Sequence, residues 1–416
     1  EIGEILSREA PHLYVTLSSD LFAEWREYER SSMTALNAYV QPIVHRYIHR
    51  LDERLKEQSF NDVWYVMASN GGVLATETAA AYPARVLESG PVAGALGAAY
   101  YGRLLGVKDL LSFDMGGTTA KSCLIKDGKL SITTDYEVAR ANRFKRGSGL
   151  PVRLPVVDMI ETGAGGGSIA RVNELGLVDV GPDSAGAKPG PACYGFGGEE
   201  PTVTDASLIL EYLNPDYFLG GRMRLYPEAA HRAMERISRP LRLDSTQAAW
   251  GIYETVCTNM AEAARIYLAE KGVDARSLSV MAYGGAGPAH AWRVADILKV
   301  PRVICPRAPG VLAAFGFLTA PLSFDFVQSC IAGLNELSPD RVNGIYDGMM
   351  GSGMALMAQS GVAEKDVAFI KTADMRYRGQ GFEINVPVPA HPFTEGDRDT
   401  VIATFQKVYR ESYGRS

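Results

Sequence analysis

An aspartate followed by two glycines and two threonines is the stretch of this 416-residue chain with the clearest chemical meaning. Asp114 ends an apolar segment, and the turn after it contains Gly116, Gly117, Thr118 and Thr119. Because glycine has no Cβ, backbone N–H groups can approach an anion, and consecutive N–H groups form a concavity that binds it. Threonine hydroxyls donate to phosphate oxygens. The turn therefore predicts a phosphate site; the alternative is an ordinary β-hairpin with glycines at its tip.

The carboxylate of Asp114 is the predicted Mg²⁺ ligand and catalytic group. Mg²⁺ prefers hard oxygen ligands and usually keeps several waters, so we expect contact through water. Phosphoryl transfer depends chiefly on positioning and on neutralising charge. Lys121 is the second catalytic candidate, with two options open: its ammonium reaches the phosphate, or alternation along the next strand points it to solvent.

A second glycine-rich loop lies between a predicted strand and a predicted helix. It contains Gly284, Gly285, Ala286 and Gly287, followed by Pro288. Backbone N–H groups and the helix dipole at such an entrance favour an anion or a nucleotide. Two such loops on separate strands predict a nucleotide between them, with phosphate near 114–119 and adenosine or ribose near 284–288. This arrangement is typical of the α/β ATPase core of actin, sugar kinases and Hsp70, which is ribonuclease H-like.

A third glycine-rich segment is the candidate substrate loop. It contains Gly163, Gly165, Gly166, Gly167 and Ser168. Two interpretations stay open: its flexible backbone binds the substrate, or its glycines only let the loop pack closely against a neighbour.

Other reactive side chains near these loops favour structural roles. Asp158 and Glu161 lie beside the third segment, where a structural role is favoured over a base or a metal ligand. His290 follows the second loop at a helix start, which favours capping or packing. Cys193 has no identifiable base, as a nucleophile needs, so we expect a packed or site-lining thiol. The spacing of the six histidines does not predict a zinc site.

Hydrophobic patterns place these loops within a mixed chain of helices and strands. Ser31 or Ser32 is expected to cap one helix, and Pro42 to begin the next. The other predicted elements are a helix at 92–105, a third antiparallel strand at 130–138, a helix at 244–271, a strand at 322–331 and a hairpin at 367–388.

Composition excludes several classes of function. The net charge is −6 and no basic stripe is present, which argues against nucleic acid and anionic membranes as partners. No apolar run approaches the ~20 residues of a membrane span. The five cysteines are scattered, which favours reduced thiols and a cytoplasmic protein.

Several motifs in a fixed order resemble the hydantoinase A/5-oxoprolinase family. The resemblance covers about residues 25–325 and, more weakly, 376–380. The motifs lie at 69–72, 88–91, 113–121, 163–170, 190–195, 200–206 and 284–288.

The resemblance implies an enzyme that uses ATP and Mg²⁺ on a carbonyl compound. In this family ATP activates a carbonyl oxygen by phosphorylation, and a subunit or domain of the hydantoinase B type completes hydrolysis or carboxylation, which implies a hetero-oligomer. The implied substrate is a cyclic amide such as a hydantoin or 5-oxoproline, and an acetone- or acetophenone-type ketone carboxylase subunit is the alternative. An actin- or chaperone-like ATPase switch and a small-molecule kinase remain as other classes.

The resemblance also implies a domain organisation. We expect the end of an upstream domain with connecting helices at 1–62, the ATPase core at 63–326 and the start of a smaller α+β domain at 327–416. The family fold uses two Asp-Gly-Gly-Thr-like hairpins, whereas this chain has one. The chain is therefore expected to be part of a longer polypeptide, truncated at both ends, whose first phosphate hairpin lies upstream.

Overall fold

A computed structural model describes residues 1–21, 26–134, 136–139 and 147–414. The chain divides into a larger unit at 65–79 and 83–322 and a smaller unit at 1–64, 80–82 and 323–416. The described helices are α1 (Ile2–Glu9), α2 (Ser18–Leu21), α3 (Glu27–Glu57), α4 (Thr76–Ala81), α5 (Ser89–Leu104), α6 (Val203–Ile209), α7 (Pro227–Leu241), α8 (Ser245–Glu270), α9 (Gly287–Leu298), α10 (Leu312–Thr319), α11 (Pro339–Gln359) and α12 (Arg398–Tyr413). The described strands are β1 (Tyr65–Met67), β2 (Val73–Ala75), β3 (Leu110–Met115), β4 (Ala120–Lys126), β5 (Lys129–Leu130), β6 (Ile132–Thr133), β7 (Tyr136–Val138), β8 (Leu150–Val152), β9 (Val156–Val157), β10 (Met159–Thr162), β11 (Ser168–Val172), β12 (Val178–Ser184), β13 (Ser279–Tyr283), β14 (Val303–Ile304), β15 (Thr372–Met375) and β16 (Ile384–Pro387).

The larger unit is built on a mixed sheet with the strand order β10-β4-β3-β13-β14, and β5 also pairs with β4. Strands β3 and β4 form the predicted antiparallel hairpin, with Asp114 opposite Lys121. Strand β13 runs parallel to β3, with Tyr283 opposite Asp114. The carboxyl ends of β3 and β13 therefore lie side by side, and a glycine loop follows each.

The third antiparallel strand predicted at 130–138 is confirmed only at its start, where Leu130 of β5 lies opposite Ile125 of β4; as one continuous strand it is wrong. The segment divides into β5, β6 and β7, which pair with β4, β9 and β8 respectively. Next to the 116–119 turn, the strand that pairs with β4 is β10, with Glu161 opposite Lys121. Alternating apolar residues predict an extended segment, but they do not specify which strand it pairs with.

Alternation along the central strands separates two buried faces. Phe113, Met115 and Val280 belong to a core that also contains the buried residues of α8 and α9. Met281 and Tyr283 belong to a second cluster with residues of α5 and α10. Because both faces are covered, the strands are apolar on both sides, as expected for the parallel part of a sheet.

Helix α5 packs closely on the sheet and on α10 because its residues are small, as the sequence predicts. A Cβ on Gly94 would lie 2.5 Å from the ring of Tyr283. A Cβ on Gly316 of α10 would lie 1.7 Å from the carbonyl oxygen of Ala93. Larger side chains at these two glycines would force the layers apart.

The long helix predicted at 244–271 is confirmed as α8. Its first turn is closed by a capping box, in which Asp244 accepts from the Gln247 N–H at 2.8 Å. Gly272 ends it with a φ of +64°, which glycine adopts without strain. The helix is therefore specified by local sequence at both ends.

The smaller unit contains α3, which corrects two predictions. Ser31, Ser32 and Pro42 lie inside one continuous helix and do not begin helices. Proline removes one hydrogen bond from a helix interior. Polar contacts anchor the turn that precedes it: Asn37 Nδ2 donates to Thr16 Oγ1 at 2.9 Å, and Thr16 Oγ1 donates to Gln41 Oε1 at 3.2 Å.

The rest of the smaller unit contains the predicted hairpin. Strands β15 and β16 pair antiparallel with Thr372 opposite Pro387, and α12 contributes Phe405, whose ring centroid lies 4.9 Å from that of Tyr377. The strand predicted at 322–331 is wrong, since these residues join no ladder with the strands of the described chain. An extended apolar segment without a partner strand forms no sheet.

Candidate functional site

Two of the glycine loops meet at the carboxyl ends of β3 and β13. The N–H of Ala286 donates to the carbonyl of Met115 at 2.9 Å. Gly284 has a φ of +85°, and a Cβ there would lie 2.4 Å from Oδ1 of Asp114. Only glycine fits this contact, so the second loop lies directly against the Asp114 carboxylate. Ligands of open α/β sheets bind at such carboxyl ends.

The turn at 116–119 presents free backbone donors. It is closed by a hydrogen bond from the Gly116 N–H to the Thr119 carbonyl at 3.1 Å. The N–H groups of Gly117, Thr118 and Thr119 have no acceptor among the described residues. A Cβ on Gly116 or Gly117 would meet nothing within 4 Å. Successive backbone donors without an acceptor in the described chain fit an anion such as a phosphate.

The side chain of Asp114 is partly buried, and its carboxylate accepts no hydrogen bond from the described part of the chain. Burial raises the pKa of its carboxyl group, and the charge of Lys121 opposes that rise. A carboxylate held without donors beside a phosphate-binding turn can ligate a cation directly or through water. The residues present therefore fit the predicted Mg²⁺, with phosphate and water supplying the remaining ligands. Within the described ranges, no three His, Cys, Asp or Glu side chains form a metal cluster of their own.

Lys121 lies beside Asp114 but is ion-paired. Its Nζ is 2.9 Å from Oε2 of Glu88 and 3.7 Å from Oε1 of Glu161. Tyr136 Oη donates to the other oxygen of Glu88 at 2.5 Å. The ammonium is thus neither pointing freely to solvent nor available to a phosphate without loosening these pairs. The sequence did not single out Glu88, because its contact with Lys121 is set by packing between α5 and the sheet.

The third glycine segment packs against the 116–119 turn. The Gly166 N–H donates to the Gly116 carbonyl at 3.0 Å, and the Gly167 N–H donates to the Gly117 carbonyl at 2.6 Å. A Cβ on Gly165 would lie 2.5 Å from the backbone nitrogen of Thr118. This close approach explains the run of glycines.

Most backbone donors of this segment are already used. The Ala164 N–H donates to the Thr162 carbonyl at 2.7 Å, and the Ser168 N–H donates to the Gly165 carbonyl at 3.0 Å. The Gly165 N–H donates to Ser168 Oγ at 2.9 Å. This geometry supports the close-packing interpretation of the loop over direct binding of a substrate. The carbonyl of Gly163 also lies against another backbone segment, since a Cβ on Gly181 would be 2.7 Å from it.

Thr204 and Asp205 anchor the third segment, and the sequence reasoning did not assign them roles. Thr204 donates to the Gly166 carbonyl through its N–H at 2.7 Å and its Oγ1 at 2.8 Å. Asp205 is fully buried, forms a capping box with Thr202, and accepts from the Cys193 N–H at 2.8 Å. The Thr-x-x-Asp spacing at 202–205 is the sequence signal for this cap. The motifs at 163–170, 190–195 and 200–206 are therefore one connected structure.

The other candidate side chains have the structural roles that the sequence favours. His290 is 1% exposed, its Nδ1 lies 3.0 Å from the Ala286 carbonyl, and burial lowers its pKa to about 4. The imidazole is therefore neutral near pH 7, with its proton on Nδ1 because a carbonyl only accepts. Asp158 is paired with Lys271, and Cys193 is buried with a raised pKa that disfavours the thiolate. None of these side chains is poised for acid–base or nucleophilic work.

One pair of neighbouring histidines was not predicted from the sequence. His45 and His49 are four residues apart on α3, and their Nε2 atoms are 3.0 Å apart. A neutral imidazole donating to another accounts for that contact. The pair lies on the exposed side of the helix in the smaller unit.

Comparison with known proteins identifies the family. The sequence matches Hydantoinase/oxoprolinase over residues 30–326 and the Hydantoinase/oxoprolinase C-terminal domain over residues 336–416. The chain belongs to the hydantoinase/oxoprolinase family. The predicted resemblance is thereby confirmed, and the site described above lies within the first matched region.

Hydantoinase/oxoprolinase relatives include ATP-dependent enzymes. The chain is 31% identical to caprolactamase subunit alpha from Pseudomonas jessenii, over 90% of this chain and 53% of that protein. The crystal structure of that ATP-dependent caprolactamase matches with a TM-score of 0.76 and 30% identity, covering 95% of this chain and 57% of that one. The nucleotide-free structure of acetone carboxylase matches with a TM-score of 0.79 and 28% identity, covering 96% and 57%.

A third relative is the acetophenone carboxylase gamma subunit from Aromatoleum aromaticum, 31% identical over 96% of this chain and 54% of that protein. The chain thus spans little more than half the length of these relatives. Their names show that family members act as subunits of larger enzymes. In the described portion of the chain, no helix has the length and hydropathy to cross a membrane.

Proposed function

We propose that this chain is the nucleotide-binding part of a subunit in an ATP-dependent enzyme that opens a cyclic amide. The observation that carries the proposal is a row of N–H groups at 117–119 beside the Asp114 carboxylate, none of which has a hydrogen-bond partner among the described residues, with a second glycine loop packed against the carboxylate. The arrangement supports an ATPase core of the actin and sugar-kinase type, with the phosphates at 116–119 and the adenosine or ribose near 284–287. The scattered, unpaired cysteines support a cytoplasmic location.

The proposed reaction uses ATP to make an unreactive amide susceptible to water. The γ-phosphoryl group moves from ATP to the amide carbonyl oxygen and ADP leaves, which makes the carbonyl carbon more electrophilic. Water then adds to that carbon and the ring C–N bond breaks, which frees the amine and leaves an acyl phosphate. A second water attacks the acyl carbon, and phosphate leaves with the former carbonyl oxygen, so that the product is the ring-opened amino acid. The N–H groups at 117–119 would hold the phosphates and offset charge during transfer, and Mg²⁺ at Asp114 would neutralise the phosphate oxygens.

A hydantoinase B-type subunit or domain is the proposed partner for the second step. In the described part of the site, no nucleophile or general base is poised to attack the activated carbon: His290 is buried and Lys121 is ion-paired. A separate site that positions water would complete the reaction. The subunit names of the relatives support a hetero-oligomer.

Carboxylation of a ketone is the alternative function. The structure matches nucleotide-free acetone carboxylase with a TM-score of 0.79, and the match covers 96% of this chain. Phosphoryl transfer from the same site to a ketone enolate or to bicarbonate would serve that reaction equally well. The nucleotide site itself does not discriminate between the two, because the chemistry that differs takes place on the acceptor.

Phosphate release by the complete protein with its partner tests the proposal. The panel contains caprolactam, hydantoin, 5-oxoproline, acetone and acetophenone, each with MgATP and with or without bicarbonate. We expect one cyclic amide to stimulate phosphate release in step with ring-opened product. Stimulation only by a ketone with bicarbonate would establish the alternative, and a stable phosphorylated product would establish a kinase. Phosphate release indifferent to every compound would contradict an enzymatic role and favour a conformational ATPase.

A further inference from the structure

We infer that Thr204 is a positioning residue for the ATP phosphates, acting through two successive peptide units, of which it contacts only the first. The inference rests on the proposed function, because it gives the 116–119 turn a phosphate to bind. Thr204 lies in α6, is 7% exposed, and donates its hydroxyl to the Gly166 carbonyl at 2.8 Å. Its backbone N–H donates to the same oxygen at 2.7 Å.

The Gly166 carbonyl is rigidly linked to the next donor in the site. It shares one planar trans peptide unit with the N–H of Gly167, so the two groups point in opposite directions. The Gly167 N–H donates to the Gly117 carbonyl at 2.6 Å. Fixing the Gly166 oxygen from one side therefore fixes the direction of the Gly167 N–H on the other.

A second peptide unit, between Gly117 and Thr118, continues the line of hydrogen bonds within the turn. The Gly117 carbonyl shares a peptide unit with the N–H of Thr118, one of the donors without an acceptor in the described chain. Thr204 thus begins a line of hydrogen bonds that runs through two peptide units and ends at the Thr118 N–H, which has no acceptor in the described chain. Such chains polarise each successive donor, so the Thr118 N–H is both aimed and strengthened for an anion.

The anchor at the far end of this line is rigid. Thr204 lies within the capping box formed by Thr202 and Asp205. The Asp205 carboxylate accepts from Thr202 Oγ1 at 2.7 Å and from the Cys193 N–H at 2.8 Å. Asp205 is 0% exposed. A movable anchor would not aim a donor two peptides away, whereas a buried and fully bonded one does.

The test compares Thr204→Val with Thr204→Ser in the complete enzyme, using the stimulating substrate found for the wild type. Valine keeps the shape and the backbone bond but removes the hydroxyl donor. We expect kcat for phosphate release to fall about five- to tenfold, the loss of one hydrogen bond, with the KM for the amide unchanged. Serine restores the donor and should recover most of kcat.

Two further variants separate this effect from general damage. Ser207→Ala removes a buried hydroxyl from the same helix that has no partner in the described chain, and it should leave kcat unchanged. Tyr194→Phe removes the phenol of Tyr194, whose pKa is raised by burial and lowered by its interaction with the Thr204 hydroxyl. If Tyr194→Phe alone reproduced the loss, the positioning role would belong to Tyr194 and the inference would be wrong.

Amide hydrogen exchange in the ligand-free enzyme gives a readout independent of ATP. We expect Thr204→Val to accelerate exchange at the Gly167 N–H, and Ser207→Ala to leave it unchanged. Unchanged exchange or unchanged kcat in Thr204→Val would overturn the inference. Failure of the proposed function looks different, because the wild type itself would then release no substrate-dependent phosphate.

Discussion

Asp114→Asn should lower substrate-stimulated phosphate release from MgATP by about 10²–10³-fold, the cost of removing one preorganised electrostatic group from a transition state. Asparagine has nearly the same shape, but it is neutral and cannot balance a divalent cation. Phosphate release by the complete protein, measured at saturating substrate, checks this. Activity within a few-fold of the wild type would exclude Asp114 from the chemistry.

The same substitution should leave the ligand-free protein at least as stable at neutral pH. Burial raises the pKa of Asp114 above its ordinary value, so the folded state favours the protonated form. The associated stability is present below the unfolded-state pKa of about 3.9 and is lost as the pH rises through the folded-state pKa. Asparagine removes this penalty at pH 7. Denaturant unfolding of both proteins at pH 7 tests it, and a large loss of stability would show a structural role for the carboxylate.

Gly165→Ala is the second variant with a large expected effect. Its Cβ would lie 2.5 Å from the backbone nitrogen of Thr118 and 2.6 Å from the carbonyl carbon of Gly117. Neither is the end of a flexible side chain, so the third segment and the 116–119 turn must separate. Misplacement of about 1 Å costs about 100-fold in rate, and overpacking costs about 1–3 kcal/mol of stability. We therefore expect a loss of rate in the phosphate-release assay and a loss of stability in urea unfolding.

Gly251→Ala in α8 is the matched control for that variant. A Cβ there meets nothing within 4 Å, and alanine in a helix interior gains about 0.5–1 kcal/mol over glycine. It should raise stability slightly and leave phosphate release unchanged. If Gly165→Ala behaved like Gly251→Ala, the third segment would not support the phosphate turn.

The positions of the loops were predictable from sequence because residue types encode them. Glycines without Cβ, an acid at the end of an apolar strand, and a proline after a glycine loop are local signals. These signals identified Asp114, Gly116 and Gly284. The structure brings their loops together at the carboxyl ends of the two central strands β3 and β13. The helix at 244–271 was equally local, since its cap and its terminator lie at its own ends.

The long-range pairing of segments could not be predicted from the sequence. The pairing of β10 with β4, and so the place of Glu161 beside Lys121, is a long-range choice that alternation leaves open. The role of Thr204 depends on a loop 38 residues away. Pro42 is a local signal overruled by buried contacts from elsewhere in its own unit.

The proposed ATPase site depends on the N–H groups at 117–119, which have no acceptor among the described residues, binding the phosphates of a nucleotide. Calorimetric titration of MgADP into the complete wild-type protein and its Gly117→Ala variant tests this most directly, because a Cβ at Gly117 meets nothing within 4 Å in the free protein. We expect the same melting temperature for both proteins and at least about tenfold weaker MgADP binding by the variant, since the new methyl group would occupy space beside the donors. Equal affinity in the two proteins, or no binding by the wild type, would contradict it.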